Sequence, residues 1–201
     1  MPFPFSHRKT TQALNFFARA NGGRINKLKA LKLVFFADRY HLRKFGRPIT
    51  NDEYLAMNFG PVASGAKDLA ELSEFLSDEE RDYAGRFLRR DERDPHAYGS
   101  HAELDASALS ASDLEALEFA WNAFGRVERF RLAEITHAYP EWKRHEAAIT
   151  SKVVSRAPMD YADFLLDPEE GFDPCHSLTQ EDREDRRELL EAAASFEASW
   201  R

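Results

Sequence analysis

One segment constrains the fold more than any other: Asn26 to Lys44 reads as a long helix with two chemically opposed faces. At 100° per residue, Leu28, Leu31, Val34, Phe35, Leu42 and Phe45 share one face, the stripe that an amphipathic helix buries. Lys29, Lys32, Phe36, Arg39, Tyr40 and Arg43 share the other. Gly46 ends the helix, since glycine takes the left-handed C-terminal turn at no steric cost, and Pro48 keeps it from resuming. Asp38 falls among the apolar residues, where an unpaired carboxylate costs on the order of several kcal/mol. It therefore predicts a partner: an arginine, a backbone N–H, or the loop around Asn58–Gly60.

Charge is divided unevenly along the chain. Residues 1–50 hold eleven Lys/Arg against the single acid Asp38, and the rest holds seventeen against thirty-four Asp/Glu. Two accounts fit: the halves pack together and pair their charges, or the basic half presents a binding face. At 201 residues, 43% of them hydrophobic, the chain is long enough for one domain with a full core. No run of eighteen apolar residues predicts a membrane span, and the N-terminus lacks the order of a signal peptide. The lone Cys175 excludes an internal disulfide framework and fits a reducing compartment. The composition thus predicts a soluble cytoplasmic protein.

The other elements follow from periodicity and punctuation. Residues 9–20 read as a first helix, stopped by Asn21-Gly22-Gly23. Residues 50–60 are ambiguous: Thr50 and Glu53 have capping-box spacing, while Glu53–Phe59 alternates as a short strand, the reading adopted. Pro61 sits where a first helical residue would be, opening a helix to about Phe75. Ser77 and Glu80 cap a helix over 78–90, and His101–Leu109 alternates as an edge strand. Ser112 and Glu115 cap a helix ending at Gly125, followed by short helices over 131–138 and 141–149. Asp160–Leu165 is a short apolar-periodic piece and 167–175 an acidic loop. Ser177 and Gln180 open a terminal helix with Leu189, Leu190, Ala193, Phe196 and Trp200 on one stripe.

No catalytic pattern is complete. His101-Ala102-Glu103 and Pro174-Cys175 match part of a zinc deaminase pattern, but position 178 is Leu and no second cysteine exists. The seven histidines show no metal-ligand spacing. P-loop, G-x-G-x-x-G and G-x-S-x-G motifs are absent. Ser64-Gly65 at a helix start could receive an anion, and Cys175-His176 is an adjacent pair in a loop; neither nominates a reaction.

What remains is a pattern. Phe36-Ala37-Asp38 on a lysine-rich helix, then Gly46-Arg47-Pro48, then Phe59-Gly60-Pro61-Val62 follow in order. Thr136-His137 and Pro140-Glu141-Trp142-Lys143 form a second anchor. The chain resembles, over roughly residues 10–148, the Panacea-domain family, the SocA-like antitoxins of bacterial toxin–antitoxin pairs. The resemblance implies a mainly helical α+β domain with a small antiparallel sheet over residues 1–157. Residues 158–201 then form a C-terminal helical extension packed on it. It implies a non-enzymatic type II antitoxin, with no cofactor and no metal, that neutralises a cognate toxin encoded by the adjacent gene. Delivery of the toxin to an ATP-dependent protease is a role known in the family, and self-association is left open. The surface implied groups Lys29, Lys32, Phe36, Arg39, Tyr40 and Arg43 with the turn of Phe59, Gly60, Pro61 and Val62. Asp38, Gly46, Pro48 and Trp142 serve as structural motif residues. No helix-turn-helix is appended, and the acidic tail after Ala157 exceeds the signature. The rival reading is a nucleic-acid module that uses Phe36 and Tyr40 for stacking and the cations for phosphates. A pI near 5.6 argues against it.

Overall fold

A computed structural model describes residues 4–169 and 173–199. Trp200 of the terminal stripe and residues 170–172 of the acidic loop lie outside them. In chain order the described elements are α1 (His7–Ala20), β1 (Arg24–Asn26), α2 (Lys27–Phe45), β2 (Tyr54–Met57) and β3 (Gly60–Ala63). Next come α3 (Ser64–Glu71), α4 (Asp78–Gly85), β4 (Leu88–Arg90), β5 (Ala97–Ser100) and α5 (Ala111–Phe124). The chain closes with α6 (Arg129–Thr136), α7 (Pro140–Lys143), α8 (Glu146–Thr150), β6 (Arg156–Pro158) and α9 (Gln180–Ser199). Helix dominates, and the strands form two small antiparallel sheets, ordered β1-β5-β4 and β3-β2-β6, where one sheet was expected.

Helix α2 is the axis of the molecule. Asn26 caps its start by accepting from the Lys29 N–H, and Gly46 ends it in the left-handed region at φ 78°. Thirteen of its nineteen residues are buried, on every side. It is packed by α1, α3, α5, α6, β3, the 3-10 turn Tyr161–Leu165 and α9. A helix in that position has no solvent face to give its polar stripe, so each buried polar group needs a partner. Asp38 has four: it accepts from the Ile49 N–H (2.7 Å), the Thr50 N–H (3.0 Å), the Tyr54 hydroxyl (2.8 Å) and the Thr50 hydroxyl. Burial pushes its carboxyl up and these bonds pull it back. The segment after Pro48 is thereby folded back onto α2, and β2 starts beneath it.

Several sequence expectations are corrected here. Pro61 does not open a helix; it lies in β3, opposite Ala56. Strand β3 is the edge of its sheet, where proline's missing donor is tolerated. Helix α3 starts three residues later and stops at Glu71, and its first free N–H groups are filled from within the chain. Asp52 accepts from Gly65 (2.8 Å) and Ala66 (2.7 Å), so that helix start holds no place for an external anion. Burial pushes the Asp52 carboxyl up to about 7 against those two bonds. The strand expected over 101–109 is instead Ala97–Ser100, whose Tyr98 pairs with Ile25 and is buried. Helix α4 ends at Gly85, short of the expected position 90, because Leu88–Arg90 forms β4. The α5 cap is the reciprocal pair Ser110 and Asp113, two residues earlier than Ser112 and Glu115. Thr179 and Asp182 likewise cap α9 in place of Ser177 and Gln180.

Candidate partner-binding site

The basic stripe of α2 is not a surface. Lys32, Phe36, Arg39 and Arg43 are all fully buried, which corrects the solvent-facing arrangement expected for them. Phe36 stacks on Phe124 at 3.8 Å between ring centroids. Arg39 donates to Glu141 (2.6 Å), Asp173 (2.8 Å) and the Leu166 carbonyl (2.6 Å), and its guanidinium lies over the Tyr139 ring. Burial favours loss of its charge, yet the two facing carboxylates hold its pKa above the ordinary arginine value. Arg43 donates to the His176 carbonyl (2.7 Å), to Asp167 (2.5 Å) and to the carbonyls of Phe164 and Leu166. These two arginines bind the C-terminal segment to the core. Tyr40 and Lys29 are half-buried: Tyr40 stacks on Phe119 and donates to Glu115 (2.8 Å), and Lys29 lies over the Trp121 ring. The two halves of the chain thus do pair their charges.

The second motif sits at an edge of the molecule. Met57 pairs with Gly60, so Asn58 and Phe59 form the tip of the β2–β3 hairpin. Three buried side chains pin that tip. Trp142 Nε1 donates to the Met57 carbonyl at 2.9 Å. Lys32 Nζ donates to the Pro61 carbonyl at 2.5 Å. Gly60, at φ 85°, lies so close to Thr136 Oγ1 that a Cβ there would overlap it. Burial lowers Lys32 to about 7, so near neutral pH both its forms are populated and either can donate to the carbonyl. Gly60, Pro61 and Val62 are buried; Phe59 is not. The clamp holds a rigid turn and leaves one phenyl ring in water.

Phe59 is 54% exposed and stands 6.1 Å from the ring of Phe130, 48% exposed, in the first turn of α6. Between the hairpin and the start of α2 runs a groove of about 510 Å³, lined by Asn26, Lys27, Leu28, Phe59, Asp94, His96, Arg129 and Phe130. Cys175 is buried, and that burial pushes its thiol well up. Among the described residues no group of three His, Cys, Asp or Glu is placed to hold a metal ion, and no helix is long and apolar enough to cross a membrane. Sequence reasoning passed over Phe130 and took Thr136 only as part of the second anchor. The signal for Phe130 was its place between Arg129 and Arg131, an aromatic in charged surroundings. The role of Thr136 against Gly60 becomes legible only in the fold.

The model of one protein family, the SocA-like antitoxin Panacea domain, matches residues 31–143, more than half of the chain. The chain belongs to that family. No curated protein and no solved structure matches it. The Panacea match includes Lys32, Gly60, Pro61, Thr136 and Trp142, the whole hairpin clamp, together with Phe59 and Phe130. Asp167 and Asp173, which hold Arg43 and Arg39, lie beyond it. As a SocA-like antitoxin domain, the chain implies a toxin as its partner.

Proposed function

We propose that this chain is the antitoxin of a type II toxin–antitoxin pair and neutralises its cognate toxin in the cytoplasm by direct contact, without turnover. The observation that carries the reading is that the Panacea match spans a clamp whose product is an exposed, rigidly held aromatic turn. Aromatic and arginine side chains in a fixed setting are the usual source of binding energy at protein interfaces, and a turn held in place before binding loses little entropy on docking. Phe59 at the hairpin tip is the contact residue, with Lys29 and Tyr40 at the half-buried edge of α2. Lys32, Gly60, Pro61 and Val62 act by shaping the turn. Residues 1–157 form the antitoxin domain and 158–201 an extension that closes over Arg39 and Arg43. The nucleic-acid reading loses three of its four cations, because Lys32, Arg39 and Arg43 are buried.

Co-expression with the product of the neighbouring gene tests this. The expected result is growth arrest by that product alone, rescue by this chain, and a complex that co-purifies with toxin levels undiminished. Rescue accompanied by loss of the toxin, dependent on an ATP-dependent protease, points to delivery for degradation. A harmless neighbour and no complex with any toxin tested contradicts the antitoxin reading.

A further inference from the structure

We propose that the groove beside the hairpin tip receives an apolar side chain of the toxin carried on an acidic segment. The inference rests on the antitoxin reading for its partner and on the groove's chemistry for what that partner presents. The floor is apolar: Phe59 and Phe130 are about half exposed, and Leu28 from the first turn of α2 joins them. A volume of about 510 Å³ lies in the range of specific binding pockets. It exceeds one side chain, so it admits an aromatic or aliphatic residue with the backbone on either side.

The charges at the rim set the sign of that segment. Asp94, the one carboxylate among the lining residues, is already held by Arg24 (3.0 Å) and by the His96 N–H (2.9 Å). Lys27 is paired with Glu71 (3.0 Å). Arg129 is different. Its guanidinium lies over the Phe130 ring at 4.8 Å, and its nearest carboxylate, Glu128, stands off at 3.8 Å while capping the Phe130 N–H. A stacked guanidinium with open donors is suited to bidentate capture of a carboxylate. One available arginine thus stands beside an apolar floor whose only carboxylate is already neutralised, and the complement is an acidic stretch with one large apolar residue at its centre.

Two measurements on the full-length chain test this. In the first, the probe is a pair of synthetic heptapeptides with a central Phe flanked by Glu or by Lys, titrated while amide resonances are followed. The Glu-flanked peptide is expected to shift Leu28, Phe59, Arg129 and Phe130 in the millimolar range, with the effect lost in Arg129→Glu. Equal shifts from both peptides, or none at these residues, overturn the proposal. The second measurement is toxin affinity. Phe130→Ala is expected to weaken binding about 30-fold, as for an interface hot spot, and Arg129→Glu about 10-fold, mainly through slower association at low salt. Wild-type affinity in both folded variants removes the groove while leaving the antitoxin reading intact. A wild-type chain that binds no toxin but still takes up the acidic peptide does the reverse. Self-association of the free chain that Phe130→Ala abolishes assigns the groove to a second copy and overturns the proposal.

Discussion

The two ends of α2 use cationic side chains in opposite ways. Toward its C-terminus, Arg39 and Arg43 are saturated by Glu141, Asp167, Asp173 and carbonyls of the segment 164–176. Neither guanidinium is left for a partner. Toward its N-terminus, Lys32 has one carbonyl, that of Pro61, and by holding it leaves the neighbouring Phe59 in solvent. Residue type alone does not separate a structural cation from one that prepares a surface. What covers the helix decides, and the cover differs from one end to the other.

The sharpest way to break this contrast is charge reversal at the C-terminal end. Arg39→Glu with Arg43→Glu sets two new carboxylates against Glu141, Asp167 and Asp173. Removing one partner of a buried ion pair already costs about 3–5 kcal/mol, so this variant is expected to show no cooperative unfolding transition by circular dichroism. A well-folded double variant that merely loses toxin binding contradicts the buried arrangement and restores the stripe as a surface. At the hairpin end, Gly60→Ala is expected to be destabilising by roughly 1–3 kcal/mol from its left-handed backbone alone, with overlap on Thr136 added. Urea denaturation reads that loss, and an unchanged midpoint removes the clamp.

Lys32 gives a pH-dependent effect with a definite sign. Its pKa is lowered from an ordinary 10.5 to about 7 in the fold. Between those values the unfolded chain holds a proton that the folded chain lacks, so this group adds stability as pH rises from 7 toward 10.5. The stability difference between wild type and Lys32→Met is therefore expected to move in favour of wild type by about 1 kcal/mol per pH unit over that window. A difference independent of pH means that Lys32 is not buried as described. The smallest effect is at Phe59. Phe59→Ala should leave stability within about 0.5 kcal/mol, because the residue is already more than half exposed, while toxin binding weakens.

Much of this was legible in the sequence where the deciding atoms are local. Asn21-Gly22-Gly23, Gly46 and the Ser77–Glu80 capping box mark real helix ends. Asp38 announced a buried partner, and the partners came from Ile49, Thr50 and Tyr54, only eleven to sixteen residues away. Apart from the caps of α5 and α9, each misplaced by two residues, the failures are long-range. Periodicity shows that α2 has two faces but not that both are covered, since Glu141 and Asp173 lie 102 and 134 residues from Arg39. A Gly-Pro step opens helices and edge strands alike. Pairing with β2 and the fit of Gly60 against Thr136 settled which it would be. The groove needed α2, the hairpin and α6 to meet, and no local pattern encodes that meeting.

The central claim is that the hairpin end faces the partner and the arginine stripe holds the fold. Growth rescue by full-length Phe59→Glu, with its melting temperature recorded beside the wild type, tests this most directly. The account predicts a protein that melts with the wild type yet fails to rescue cells from the toxin. A variant that is equally stable and rescues as well as the wild type contradicts it.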